Sequence, residues 1–506
     1  MRNNELKSGV YLSYISLFVT NISNLILTPF IIKNLGNSEY GLYMLIGAFV
    51  GYIAVLDFGL GNTVVRFVAK YRAENDKKNE ENFLFSTFLI YIIISIIILI
   101  IGTIIYFNLT VIFGQSLSSE EISIAKVMFI ILLINLAFTL PMKSFTAIMT
   151  AYERFIYPRT LTILRNILRM ILIFILLSFG YKAIAIVMID AILNLIMMAL
   201  IMLYVFLKLR VKIRFHYLNI QLIREIFSYS SLIFISVIVD QIYWRIGHLI
   251  LGVVASTTEV AIFAVGMMFG QYFITFSTSI SGVFLPKITT MVVKDASGEE
   301  LTDILIKTGR LQFIVLGLVL GGFIILGKTF INLWTGPDYY YSWIIGLIVM
   351  IPLIIVLTQT IGISILQAKN MHGFRAIIYL FISIINTMIS IYLAKMYGSI
   401  GAAIGTSLSL VLGNIIIMNW YYHFKVKLNI PRFYKELFQG LLIAILLSMG
   451  IGSLLLMMSK ATWLIFSIQV LLFSLIYMLI LWKIGMNNYE KRLFKNELQK
   501  ISNSIF

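Results

Sequence analysis

The stretch FLFSTFLIYIIISIIILIIGTIIYF runs from Phe83 to Phe107 without one Asp, Glu, Lys or Arg. About 20 apolar residues carry a helix across the ~30 Å hydrocarbon core of a bilayer, so this stretch reads as a transmembrane helix. Much of the remaining chain has the same character. Hydrophobic types make up 60% of the 506 residues and charged types 12%, whereas a soluble protein is nearer ~45–50% and ~25%. No core of this size buries such a surplus, so the solvent must itself be apolar. Cys is absent and His occurs four times. That removes disulfides, thiolate metal sites and Cys nucleophiles, and no cofactor is expected.

Working outward, about fourteen spans appear, roughly 9–33, 40–66, 83–107, 122–148, 157–180, 182–207, 226–251, 258–284, 305–329, 340–366, 374–396, 399–423, 436–457 and 461–483. The first carries Asn21, Asn24 and Pro29 and no small-residue cleavage site follows, so it reads as a membrane span rather than a removable leader. The formal charge of +17 would point to nucleic acid in a soluble protein, but its placement argues otherwise. Thirty-one of the 39 Lys and Arg, Lys143 and Arg310 among them, are assigned to the termini and the even-numbered loops. Lys33, Lys182, Lys328, Lys395 and Lys460 fall on the other side, and Lys126, Arg169 and Arg245 inside spans. Cationic loops stay cytoplasmic, which predicts both termini in the cytoplasm and no nucleic-acid partner.

A faint internal repeat runs through the chain. NLGNSEYGLYMLIGAF from Asn34 aligns with VVASTTEVAIFAVGMMFG, placing Glu39 opposite Glu259, and Gly180 falls opposite Gly398. Six spans separate the copies, so two parallel six-helix lobes are expected, 1–220 and 221–430, followed by two extra helices and a tail at 431–506. Chance similarity between Ile- and Gly-rich helices is the competing reading. Parallel repeats are typical of transporters.

Ionisable side chains inside spans cost at least ~2.5–3.5 kcal/mol and normally face a cavity or a partner. In span 7, Ser236, Asp240, Trp244 and His248 form one ridge at four-residue spacing, with Gln241 and Arg245 on the next. They read as a substrate or ion site, or as a network that holds the bundle. In span 5, Arg165 and Arg169 share a face. Two guanidinium forks suit a phosphate or diphosphate, or Arg169 forms an ion pair with Asp57 or Asp190. Asn24 lies on a polar arc of span 1 that suits a cavity wall, or helix-to-helix glue. Asp57, Asp190 and Asp240 are the candidates for ion coupling. No catalytic grouping is present and the loops between spans are short, so a transporter is expected rather than an enzyme.

The segment from Thr28 to Tyr71, with Leu35-Gly36, Tyr40-Gly41, Leu56-Asp57, Gly59-Leu60-Gly61 and Arg66, resembles the polysaccharide-exporter flippases. These belong to the multidrug/oligosaccharidyl-lipid/polysaccharide exporter superfamily. LQAKNMHGF at Leu366 and YGSIGAAIGT at Tyr397 resemble second-lobe signatures of that family. The resemblance implies alternating access through a central polar cavity. It also implies an undecaprenyl-diphosphate-linked oligosaccharide as substrate, for O-antigen or capsule, with a polysaccharide polymerase and other assembly proteins as partners. Carried over to this chain, cavity charge rests on Arg169, Asp240 and Arg245. The alternatives are a sodium- or proton-coupled multidrug exporter or a lipid II flippase of the same superfamily, and more remotely a membrane polymerase or ligase.

Overall fold

The structure is a computed structural model and describes residues 2–217, 219–457 and 462–505. Every element among them is helical. In hydrocarbon each backbone N–H and C=O must find its partner within the segment, which leaves the helix as the solution for single spans. Among the described residues, twelve helices are long and apolar enough to cross a membrane. Two of these are doubled: 63 residues from Tyr11 to Ala73 and 52 from Gly373 to Phe424, each twice what one crossing needs. They break at Gly36 (φ 78°, ψ 170°) and at Gly398 (φ 56°, ψ −135°). Counting the breaks gives the fourteen spans read from the sequence. Lys460 and the first residue of the last span lie outside the described residues. Large side chains such as Phe107, 73% exposed, and Ile104, 59%, point outward, as helices bathed in lipid require.

Gly398 occupies a backbone region that is nearly closed to other residues. Gly398→Ala is therefore expected to cost about 1–3 kcal/mol. The check is the unfolding midpoint of the detergent-solubilised protein, and an unchanged midpoint would contradict the turn.

The repeat is written into the backbone. Left-handed residues recur in pairs, Asn75 with Asp295, Glu153 with Asn370, Gly180 with Gly398, and Arg210 with Lys427, at nearly the spacing of the sequence repeat. Helix starts recur as well. Asp76 caps Lys77–Phe113 (span 3) by accepting from the Asn79 N–H, and Ser297 caps Gly298–Trp334 (span 9). That same Asn79 N–H holds the Asp76 carboxyl below its ordinary range. Coincidence among Ile-rich helices does not explain matching turns.

Packing divides the chain into two compact units, Met1–Ala261 and Ile262–Phe506. Span 7 (Ile220–Val254) thus packs with spans 1 to 6, although the sequence pattern restarts near residue 220.

Contacts in the N-terminal unit join like ends of the spans. At the basic end, Arg154 Nη1 meets Glu5 at 2.7 Å, Arg72 donates to the Ala151 carbonyl and Tyr152 to Glu80. At the other end Glu121 accepts from Ser38 and Thr257, and Lys182 lies 3.6 Å from Glu39.

Among the basic residues assigned to loops, Lys143 and Arg310 are in fact inside helices and paired with acids. Lys143 belongs to Ser119–Ala151 (span 4). Arg310 is buried in Gly298–Trp334, where Nε lies 2.5 Å from Glu490. It also donates to the carbonyls of Glu436, Gln439 and Gly485. Counting charge by loop could not see them, because a paired cation near a span end reads as solvated. The basic surplus survives their removal.

Candidate functional site

Span 5 is the helix Ile156–Ser178 and span 6 is Ala183–Leu207. Arg169 Nε donates to Asp190 Oδ1 at 2.5 Å and Nη2 to Oδ2 at 3.1 Å. Tyr43 on span 2 joins them, accepting from Arg169 and donating to Asp190, both at 3.3 Å. The Arg169 and Asp190 side chains are 17% and 21% exposed. Of the readings open for Arg169, the ion pair is therefore the one observed, and Asp190 is its acid. A bidentate pair of this kind is strong and nearly neutral, so this guanidinium is engaged before any substrate arrives.

Arg165, one turn nearer the basic end, is different. It is half-buried, its Nε is buried without a hydrogen-bond partner, and it makes no ion pair among the described residues. It lines a cavity of about 210 Å³ between spans 4, 5 and 6 with Arg154, Arg159, Thr162 and Asn194. Asn194 donates to Asn135 Oδ1 at 3.1 Å and Thr139 Oγ1 at 2.7 Å, so a polar seam continues from the cavity into the bundle. Span 1 closes on span 5 through Asn166 Nδ2 and Thr20 Oγ1, 2.6 Å apart. Part of the polar arc on span 1 is thus glue. Asn24 is half-buried and its carbonyl accepts from Thr28.

On span 7 the two ridges differ. The Gln241 backbone carbonyl accepts from Tyr52 at 3.0 Å, and the Arg245 guanidinium lies against Gly51. Arg245 is exposed and makes no ion pair among the described residues. Along the other ridge Asp240 is exposed, Trp244 half-buried and His248 buried. The ridge is therefore no uniform wall, and its exposure falls towards one end. The side chain of Ser236 lies outside the described residues.

Asp57 ends the 3₁₀ turn Ala54–Asp57 that interrupts span 2, and Phe58 and Gly59 follow in the left-handed region (φ 54° and 66°). Its Oδ2 lies 3.1 Å from Lys143 Nζ, two residues beyond the in-helix Pro141. A discontinuous helix beside a proline-containing one is a common setting for an ion site. Lys143, Tyr43 and Tyr52 were missed in the sequence. Lys143 alone left a signal, since it falls inside the 122–148 span.

With that geometry in view, the comparisons with known proteins are informative. Residues 6–292 match the family described as polysaccharide biosynthesis protein. The uncharacterized membrane protein EpsK of Bacillus subtilis (strain 168) is 24% identical over 422 residues, 78% of each chain. Among solved structures, the lipid II flippase MurJ in an inward closed conformation superposes with a TM-score of 0.75 at 20% identity. The match covers 93% of this chain and 98% of that one. An inward-facing multidrug resistance MATE family transporter of the MOP superfamily gives 0.63 at 13%, covering 81% and 97%. At these identities the structural matches establish a fold of membrane transporters.

Proposed function

The chain belongs to the polysaccharide biosynthesis protein family, and from that premise we propose that it is a flippase. It moves an undecaprenyl-diphosphate-linked oligosaccharide from the cytoplasmic to the outer face of the bacterial cell membrane by alternating access, for O-antigen or capsule assembly. A polymerase would then take the delivered glycan. A diphosphate-sugar head cannot cross ~30 Å of hydrocarbon unaided. The chain lowers that barrier by offering polar contacts while the prenyl tail stays in lipid.

One observation carries the reading. Arg165 and Arg245 are held in spans 5 and 7 of one compact unit with no acidic partner among the described residues. Cations without a bonded carboxylate among the described residues suit an anionic diphosphate, whereas an exporter of organic cations would offer carboxylates. Arg169, Gln241, Trp244, His248 and Asn24 shape the same path, with Arg169 held by Asp190. Both termini face the cytoplasm, because the basic loops stay there.

Loss of the chain should leave lipid-linked oligosaccharide accumulating inside the cell and surface polysaccharide depleted. Normal polysaccharide with raised sensitivity to organic cations would favour the multidrug exporter instead. Arrest of peptidoglycan precursor export would favour the lipid II flippase. Asp57 is the coupling candidate, being set in a broken helix, and Asp240 the second. Asp57→Asn is expected to remove the dependence of flipping on the ion gradient while leaving the protein folded, as measured in vesicles with and without a proton or sodium gradient. An unchanged dependence would reduce Asp57 to a structural partner of Lys143.

A further inference from the structure

The connector after span 6 carries Lys208, Arg210, Lys212, Arg214 and His216 in alternation with Leu209, Val211, Ile213 and Phe215. From Arg210 to Tyr217 it is neither helix nor strand, and it is tied across the start of span 3. The Asn82 side-chain oxygen accepts from the His216 and Tyr217 N–H groups at 3.0 and 3.1 Å, and His216 Nε2 lies 3.0 Å from Glu81. Val211 is buried, while Lys212 and Arg214 are exposed and make no ion pair among the described residues. This is a fixed strap of cations at the basic end of the N-terminal unit, where lipid headgroups lie.

An apolar groove lies farther along the same helices. Phe215 packs on Phe85 with ring centroids 5.3 Å apart, and Phe88 meets Phe145 at 6.2 Å. Phe88 and Phe145 head a groove of about 540 Å³ between spans 3, 4 and 6, with Ile92, Leu99, Ala137 and Phe138 among its walls. It follows span 3 from Phe88 to Leu99, ~16 Å at the helical rise of 1.5 Å per residue. That is half of the ~30 Å core, the depth of one leaflet.

We infer that the strap and groove together form a site for one anionic phospholipid. Its phosphate sits on Lys212 and Arg214 and an acyl chain fills the groove. The one-leaflet length fits an acyl chain and leaves most of an undecaprenyl tail unaccommodated, so the occupant is a bilayer lipid rather than the transported one. The site is independent of which solute is moved. Its effect is to anchor the connector at which the sequence repeat restarts.

The test uses the full chain in neutral detergent, titrated with phosphatidylglycerol or phosphatidylcholine of matched chain length and read by native mass spectrometry. One tightly held phosphatidylglycerol is expected, with phosphatidylcholine binding at least tenfold more weakly. Each cation near the surface contributes about a fivefold factor, so Lys212→Gln with Arg214→Gln should weaken retention about thirtyfold. Filling the groove by Ala137→Phe should weaken it too. Lys425→Gln with Lys427→Gln, which removes two exposed cations from the corresponding connector of the repeat, should change nothing. Equal retention of both lipids, an unaffected strap variant, or an equal loss in the control pair would overturn the site. Displacement by millimolar inorganic phosphate would also overturn it, because the groove would then contribute nothing.

Discussion

Glu490→Gln is expected to destabilise the C-terminal unit by about 3–5 kcal/mol, because it leaves a buried guanidinium without its counter-charge. The Arg310 and Glu490 side chains are 6% and 2% exposed, so water cannot take the place of the lost partner. From span 9, Arg310 bonds at once to the helix Ile430–Phe438 and the turn after it, to the end of span 14 and to the start of the tail helix Asn488–Ile505. The two helices beyond the repeat are thereby fixed to the second lobe's own span 9. Thermal unfolding in detergent, or the yield of monodisperse protein, reads the effect. The double variant Arg310→Met with Glu490→Leu should recover much of the loss, since replacing a buried pair by apolar groups is often neutral. A Glu490→Gln protein as stable as wild type would contradict the arrangement.

Arg165→Ala and Arg245→Ala should each lower flipping by about tenfold to a hundredfold while leaving folded protein in the membrane. That range corresponds to the ~1.5–3 kcal/mol of a hydrogen bond to a charged group. Arg169→Ala should behave differently. It strands Asp190 and Tyr43 and costs about 1–3 kcal/mol of stability, with lost transport following from misfolding. Exchanging the pair, Arg169→Asp with Asp190→Arg, should restore stability if the role of the pair is structural. Failure of the exchange, together with full transport in both alanine variants at 165 and 245, would return the substrate contact to Arg169.

These contrasts mark where the sequence was legible. Length and hydropathy placed all fourteen spans, because the bilayer demands the same apolar length of each. The Gly36 and Gly398 breaks fell in the gaps between predicted spans, at 33–40 and 396–399. Partners were harder to read. Arg169 could equally have met Asp57 or Asp190, since helical periodicity gives a face but not the neighbour across it. Lys143 and Arg310 were taken for loop cations, because their acids, Asp57 and Glu490, lie 86 and 180 residues away. The polar ridge of span 7 was visible, but its change from exposed Asp240 to buried His248 depends on what packs beside it.

The most direct test of the central claim is a flipping assay with purified protein in liposomes. The probe is an undecaprenyl-diphosphate-linked disaccharide carrying a fluorescent tag, quenched by a membrane-impermeant reductant. Wild-type protein is predicted to expose the inner-leaflet pool of the probe. The Arg165→Ala, Arg245→Ala double variant should leave that pool protected. A pool that stays protected with folded wild-type protein, in vesicles that do expel an organic cation, would contradict the flippase reading.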